Sequence, residues 1–97
     1  MNVINRKTLN EYCYQYPDAA QALETWYRIC KKATWKNFND VRKVYPGADQ
    51  IGDDRMVFNV RGNHYRLIVR FSFTFKVIQL KWFGTHAQYD KIDVLKV

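Results

Sequence analysis

The stretch Thr85-His86-Ala87-Gln88-Tyr89-Asp90-Lys91 gathers an imidazole, a phenol, a carboxylate and an ammonium group within six residues. An imidazole at His86 can take or give a proton near neutral pH. Tyr89 offers a phenolic donor and a ring on which a base can stack. In a helix, His86 and Tyr89 stand i, i+3 on one face with Asp90 beside them. The same residues also describe a purely structural device, with Thr85 as N-cap, Gln88 as its capping-box partner and Tyr89 packed on the core. That device accounts well for Thr85 and Gln88 and poorly for His86.

A second group of reactive side chains lies upstream. Met56, Phe58 and Val60 alternate with Val57, Asn59 and Arg61, the period of a strand. Gly62-Asn63 then forms a two-residue hairpin turn with glycine first, as a type II′ turn prefers. On the return strand Tyr65, Leu67, Val69, Phe71 and Phe73 share one face, and Arg66, Ile68, Arg70 and Ser72 the other. Such a hairpin pairs Arg61 with His64, Val60 with Tyr65, Asn59 with Arg66 and Phe58 with Leu67. Asn59, Arg61, His64, Arg66 and Arg70 then lie on the face away from the core. Like charges so close repel one another, and an anionic ligand would offset the repulsion. Guanidinium groups also grip phosphate bidentately. The bland alternative is a solvated sheet face lined with long polar side chains. His64 flanks the turn and is expected to be exposed, within reach of an RNA backbone.

The remaining segments must position these two groups. A short strand is predicted at Asn2 to Ile4. Leu9, Tyr12, Cys13 and Tyr16 follow at i, i+3, i+4, i+7, one face of a helix that Pro17 ends. Asp18 can cap the next helix, with Gln21 in a capping-box position. That helix carries Ala22, Leu23, Trp26, Ile29, Cys30 and Ala33 along one stripe, and Arg28, Lys31, Lys32 and Lys36 along another side. A third helix starts at Asn37, shows Phe38, Val41, Val44 and Tyr45, and stops at Pro46-Gly47. A third long strand is expected from about Lys76 to Phe83, broken by Gly84-Thr85, with a short helix or tail from His86 to Val97. Helices first and strands second predict an α+β fold, with N-terminal helices on one face of a small, mainly antiparallel sheet. The 97 residues suit a single domain over 1–97.

The chain holds 16 Lys and Arg against 9 Asp and Glu, for a net charge of +7. The first 50 residues carry eight basic and five acidic side chains, and the remainder eight and four, so the excess is no basic tail. A basic folded body attracts polyanions, nucleic acid among them. Cys13 and Cys30 are the two cysteines, with no CxxC or His/Cys cluster, so buried free thiols are expected rather than a metal site. No cofactor is expected. No P-loop, GxSxG, HExxH or paired-carboxylate pattern occurs, which argues against nucleotide hydrolysis, esterase and zinc-protease chemistry. The N-terminus lacks the apolar core of a signal peptide and no apolar run reaches membrane length, so a cytoplasmic protein with no membrane partner is expected.

Two segments resemble a known family. Phe58-Asn59-Val60-Arg61-Gly62-Asn63-His64-Tyr65-Arg66-Leu67-Ile68 is similar to the central hairpin of HigB toxins, and Gly84-Thr85-His86-Ala87-Gln88-Tyr89-Asp90-Lys91-Ile92-Asp93 to their C-terminal signature. The helices, the Trp35 to Val44 segment and the Tyr45-Pro46 break fit in order and spacing. The resemblance implies a RelE-like fold and metal-independent, ribosome-dependent cleavage of mRNA. It also implies a helix-turn-helix, HigA-like antitoxin, through which alone operator DNA would be reached. Asn59, Asn63 and Arg66 match the family's hairpin pattern, and His86, Tyr89, Asp90 and Lys91 its C-terminal one. Taken with the cationic face, this puts Arg66, Lys81, His86, Tyr89 and Asp90 in catalysis, and Asn59, Arg61, Asn63, His64, Arg70 and Lys91 in RNA contact. Lys81 stands where the family usually carries arginine; lysine keeps the charge and loses the fork. Two rival readings stay open on the residues alone: a non-catalytic RNA- or DNA-binding module, and a toxin of the same fold with another target such as gyrase.

Overall fold

A computed structural model describes all 97 residues, Met1 to Val97. Strand β1 (Asn2–Ile4) leads into α1 (Arg6–Gln15), a 3-10 turn (Pro17–Ala19), α2 (Ala20–Lys32) and α3 (Phe38–Val44). Strands β2 (Asp49–Gly52), β3 (Arg55–Val60), β4 (Tyr65–Ser72) and β5 (Val77–Thr85) follow, and a single-turn helix α4 (His86–Tyr89) comes last. The strands form one sheet in the order β1-β5-β4-β3-β2. All pairs are antiparallel except β1 with β5. This is the expected α+β architecture. No helix is long and apolar enough to cross a membrane.

The apolar periods explain the layering. Leu9 of α1, Leu23, Trp26 and Cys30 of α2, and Val41 of α3 are buried together with Met56, Phe58, Leu67, Val69, Phe71, Ile78 and Phe83 of the sheet. Phe58 sits at the centre, with the rings of Tyr45 and Trp26 edge-on at 5.2 and 5.6 Å. Each such side chain contributes roughly 1.5–3 kcal/mol through burial. Both cysteines are free thiols, Cys30 buried and Cys13 half-buried. Asn37 caps α3 by accepting from the Asp40 N–H at 3.0 Å.

The hairpin register is the expected one for Phe58 opposite Leu67, Asn59 opposite Arg66 and Val60 opposite Tyr65, but the ladder closes there. Arg61 to His64 make the turn, with Arg61 at φ 53°, and Arg61 does not pair with His64 as a strand residue. Four further details differ from the sequence-based expectations. Asp18 does not cap α2, because Pro17 winds the preceding residues into a 3-10 turn and Ala19 takes the cap position. The Asp18 carboxylate instead accepts from the Tyr65 hydroxyl at 2.7 Å and pairs with Arg61 at 3.2 Å. Edge strand β2 is not foreseen by the sequence pattern, since Asp49-Gln50-Ile51-Gly52 contains one large apolar residue and no alternation. Strand β5 does not stop at Phe83 but pairs onward through Gly84 and Thr85.

The fourth difference concerns the second face of the sheet. It is not simply polar, because Val57 and Ile68 on it are buried and stand outside the main cluster. The C-terminal segment folds back against this face. Arg55, itself buried, donates to the carbonyls of Val94 and Val97 at 3.0 and 2.8 Å. Nearby, Leu95 lies against Gly52. An arginine so enclosed needs such partners, since an unpaired buried charge is costly.

Candidate functional site

Arg66 stands on β4 beside the hairpin tip. Its Nη1 donates to the carbonyls of Asn63 and Tyr65 at 3.2 and 3.1 Å. Its Nη2 donates to Asn63 Oδ1 at 2.7 Å and to His86 Nδ1 at 3.2 Å. All four partners are neutral, and no carboxylate lies within ion-pair distance. The other arginines of the expected cationic face are neutralised: Arg61 by Asp18, and Arg70 by Asp53 at 3.5 Å. Arg66 therefore presents a positive charge in a fixed pose with no counter-ion.

The charge of this face is accordingly divided. Arg61 takes a left-handed backbone (φ 53°), which turns it out of the strand toward Asp18 of the helical layer. Arg70 lies four residues along β4 from Arg66, about 13 Å away at the usual strand rise, and donates to the Asp53 carbonyl as well as its carboxylate. The three arginines do not form one cluster.

His86 reaches Arg66 through a shift in register. Val69 pairs with Leu80, yet Ile68 pairs with Trp82, leaving Lys81 as the extra residue of a β-bulge. A one-residue slip exchanges the faces of a strand. Phe83 thereby joins Leu67 on the core side, and Gly84 comes opposite Arg66. Space is tight at Gly84. A Cβ there would stand 2.6 Å from Gln88 Oε1 and 2.7 Å from the Trp82 ring, closer than real atoms approach. Gly84→Ala should therefore lower stability by roughly 1–3 kcal/mol, the cost of overpacking. Thermal denaturation measures this, and an unchanged melting temperature would show that Trp82 and Gln88 yield freely.

Thr85 and Gln88 form the anticipated capping box. Thr85 Oγ1 accepts from the Gln88 N–H at 3.2 Å, and Gln88 Oε1 accepts from the Thr85 N–H at 2.9 Å. Tyr16 at the end of α1 donates to the same Oε1 at 3.1 Å, fastening α4 to the helical layer. The His86 N–H donates to the His64 carbonyl at 3.0 Å, fastening α4 to the hairpin. The capping box and the exposed imidazole thus belong to one segment, and the cap sets where the imidazole stands. His86 Nε2 faces Asp90 Oδ2 at 3.5 Å. With Arg66 donating to Nδ1, the proton of a neutral imidazole sits on Nε2 toward Asp90, an assignment from the hydrogen-bond network.

Tyr89 is half-buried, its ring 6.2 Å from that of Trp82. Burial pushes its phenol above the ordinary value. Arg66 pulls it down, while Asp49 and Asp90 push it further up. It therefore stays a protonated donor across the physiological range. Trp82 is a member of the site that sequence reasoning misses; its only signal there is a large ring two residues before Gly84. Among the other predicted residues, Asn63 serves Arg66 through its side chain and its carbonyl, and His64 offers its carbonyl to α4 while the residue is exposed. Lys91 is exposed just beyond α4, and Lys81 is half-exposed at the bulge; neither makes an ion pair. Asn59 stands apart on β3, near Gly47.

The arrangement is an open shelf. None of the surface concavities is lined by Arg66, His86, Tyr89 or Asp90. An uncompensated guanidinium can hold a phosphodiester, and an imidazole and a phenol beside it can move protons. Nothing on the shelf encloses a ligand. No group of three His, Cys, Asp or Glu side chains is placed to hold a metal ion.

The family model HigB_toxin, described as the RelE-like toxic component of a toxin-antitoxin system, matches residues 19–92. The mRNA interferase HigB of Escherichia coli O6:H1 is 30% identical over 94 residues, covering 95% of this chain and 91% of that protein. The mRNA interferase toxin HigB of Escherichia coli K12 and the mRNA interferase HigB of Shigella flexneri are each 27% identical over 92 residues, covering 93% of this chain and 88% of theirs.

Proposed function

The chain belongs to the HigB toxin family, the RelE-like toxic components of toxin-antitoxin systems, and on that footing we propose that it is an mRNA interferase, an endoribonuclease whose reaction centre is the Arg66–His86 shelf. The observation that carries this reading is the unneutralised Arg66 guanidinium, oriented by neutral groups only and touching an imidazole at 3.2 Å.

The reaction is transesterification. The ribose 2′-oxygen attacks the adjacent phosphorus, the P–O5′ bond breaks, and a 2′,3′-cyclic phosphate and a 5′-hydroxyl result. One proton must leave the 2′-hydroxyl and one must reach the 5′-oxygen, while negative charge builds on the phosphorane oxygens. Arg66 supplies the charge that meets those oxygens, with Lys81 as a second cation. When Arg66 turns to the phosphate, its hydrogen bond to His86 Nδ1 breaks and that nitrogen is free to accept the 2′-hydroxyl proton. Engaging the substrate and unmasking the base are thus one motion. Asp90 holds the Nε2 side of the ring and favours the imidazolium that forms. Tyr89, protonated, donates to the leaving oxygen or stacks on a base. Asn59, Arg61, Asn63, His64, Arg70 and Lys91 contribute RNA contacts around this centre.

An open shelf suits a substrate presented by something else, and the ribosome is the presenting surface in this reading. The toxin has an antitoxin partner, as its family implies; a HigA-like helix-turn-helix protein fits that role. Induced expression should arrest growth and translation, and the antitoxin should restore both. Purified protein should cut ribosome-bound mRNA and leave free RNA nearly intact. Primer extension on the two substrates makes the comparison, and efficient cutting of naked RNA at low enzyme would overturn the ribosome's role.

A further inference from the structure

The basic strip Arg28, Lys31, Lys32 and Lys36 is redistributed by the fold. Arg28 turns back to Thr25 on its own helix. Lys31, Lys32 and Lys36 instead border a cavity of about 590 Å³, and Lys76 joins them from the β4–β5 turn. Met1, Ala33, Trp35 and Phe73 form its apolar lining, and Thr34 and Thr74 add hydroxyls. No acidic residue lines it. None of the four lysines has a carboxylate within ion-pair distance. Among their side chains only Lys31 has a partner of another kind, the Tyr27 ring at 5.7 Å, while the Lys36 backbone N–H donates to Asp40 Oδ2 at 2.9 Å.

Lysines in the last turn of a helix often do no more than satisfy its final carbonyls. That role is already filled. The Met1 nitrogen donates to the carbonyls of Cys30, Lys31 and Ala33 at 3.2, 3.2 and 2.7 Å. Lys36 and Lys76 lie outside that helix altogether. Four cations gathered from three segments around one hollow repel one another unless an anion sits among them. Next to Lys76 on the same turn, outside the cavity's own lining, the Phe75 ring is 80% exposed.

We propose that this cavity is a second RNA site, which grips the phosphodiester backbone with Lys32, Lys36 and Lys76 while Phe75 stacks on a base. Cations beside an exposed ring are the combination that holds single-stranded nucleic acid without reading sequence. An acidic peptide would use the lysines and leave Phe75 without a purpose. The cavity lies at the opposite end of β4 from Arg66, about 20 Å away at the usual strand rise. It is therefore a docking site and takes no part in cleavage. It does not depend on the shelf being a nuclease, since binding at the cavity can be read with uncleavable RNA.

The test measures equilibrium binding of a fluorescein-labelled, 2′-O-methyl single-stranded 12-mer to the intact protein. Lys36→Glu/Lys76→Glu is compared with Lys7→Glu/Lys96→Glu, which changes the net charge equally at remote exposed positions. The cavity variant should bind about tenfold more weakly at low salt, with its log–log salt dependence shallower by roughly 0.7 for each phosphate that is no longer neutralised. Phe75→Ser should weaken binding severalfold without altering that slope. The control pair should change affinity less than about twofold, because screened remote charges contribute little. Equal losses in the two charge variants would reduce the effect to net charge and overturn the site. Displacement of the RNA by ATP at matching affinity would make the cavity a nucleotide pocket, and displacement by polyglutamate would make it an acidic-protein site; either overturns the proposal. Melting temperatures control for folding. Failure of the nuclease reading would show separately, as absent cleavage with this binding pattern intact.

Discussion

Arg66→Ala should slow single-turnover cleavage of ribosome-bound mRNA about a hundredfold, which corresponds to ~3 kcal/mol of lost transition-state stabilisation. The size follows from the site. Arg66 is the one arginine on the shelf, it has no carboxylate partner, and its fork is already oriented by Asn63 and Tyr65. When it turns to a phosphate it gives up hydrogen bonds to carbonyl oxygens, an amide and the imidazole, and has no ion pair to break. The fold should survive, because Arg66 faces away from the core and its side-chain partners Asn63 and His86 are exposed, with only the Tyr65 carbonyl belonging to a buried residue. Ribosome affinity should fall much less than the rate, since the remaining basic side chains supply most of the long-range attraction. Arg66→Lys should recover only part of the rate, because an ammonium keeps the charge without the bidentate fork. A folded Arg66→Ala that lost affinity yet kept its rate at saturation would make the shelf a docking surface and place the reaction elsewhere.

His86→Ala should cost a comparable factor, about a hundredfold or more, if the imidazole moves a proton in the transition state. The two losses should not add. Arg66 and His86 touch at 3.2 Å, and residues in one network couple. The double variant should therefore be well above the product of the two single effects. His86→Gln separates geometry from proton transfer, since glutamine can still meet Arg66 but cannot cycle a proton. It should resemble His86→Ala in rate. Near wild-type cleavage by a folded His86→Ala would remove the imidazole from the mechanism and pass its role to Tyr89, whose phenol is held protonated by burial.

Gly84 and Lys81 show how closely position and chemistry are joined in this chain. Without the bulge at Lys81, Phe83 would stand opposite Arg66 and Trp82 would turn toward the core. The bulge brings in the one residue with no side chain, so that α4 can begin directly beside the guanidinium. A lysine at this place thus sits at the structural irregularity that aligns the site, whatever its share of the charge.

The boundary between what could be read from the sequence and what could not follows the range of the interactions. Apolar period, Gly62-Asn63 and the Thr85/Gln88 spacing act over a few residues. Those local rules were enough for the helices, for the β3–β4 hairpin register and for the capping box that turns His86 outward. Edge strand β2, with no alternation of its own, exists only because β3 supplies its hydrogen bonds. Asp18 looked like a helix cap because its nearest neighbours suit one, yet its partners Arg61 and Tyr65 are more than forty residues away. A period-two reading put Arg61, Arg66 and Arg70 on one face, but it carries no information about which aspartates fold back to them. Asp18 and Asp53 took two of the three charges, and only packing decided that Arg66 was the one left free. Its contact with His86, twenty residues on, depends on a one-residue slip that no alternation pattern announces, because a bulge is stabilised by what both of its strands bury rather than by the residue that bulges.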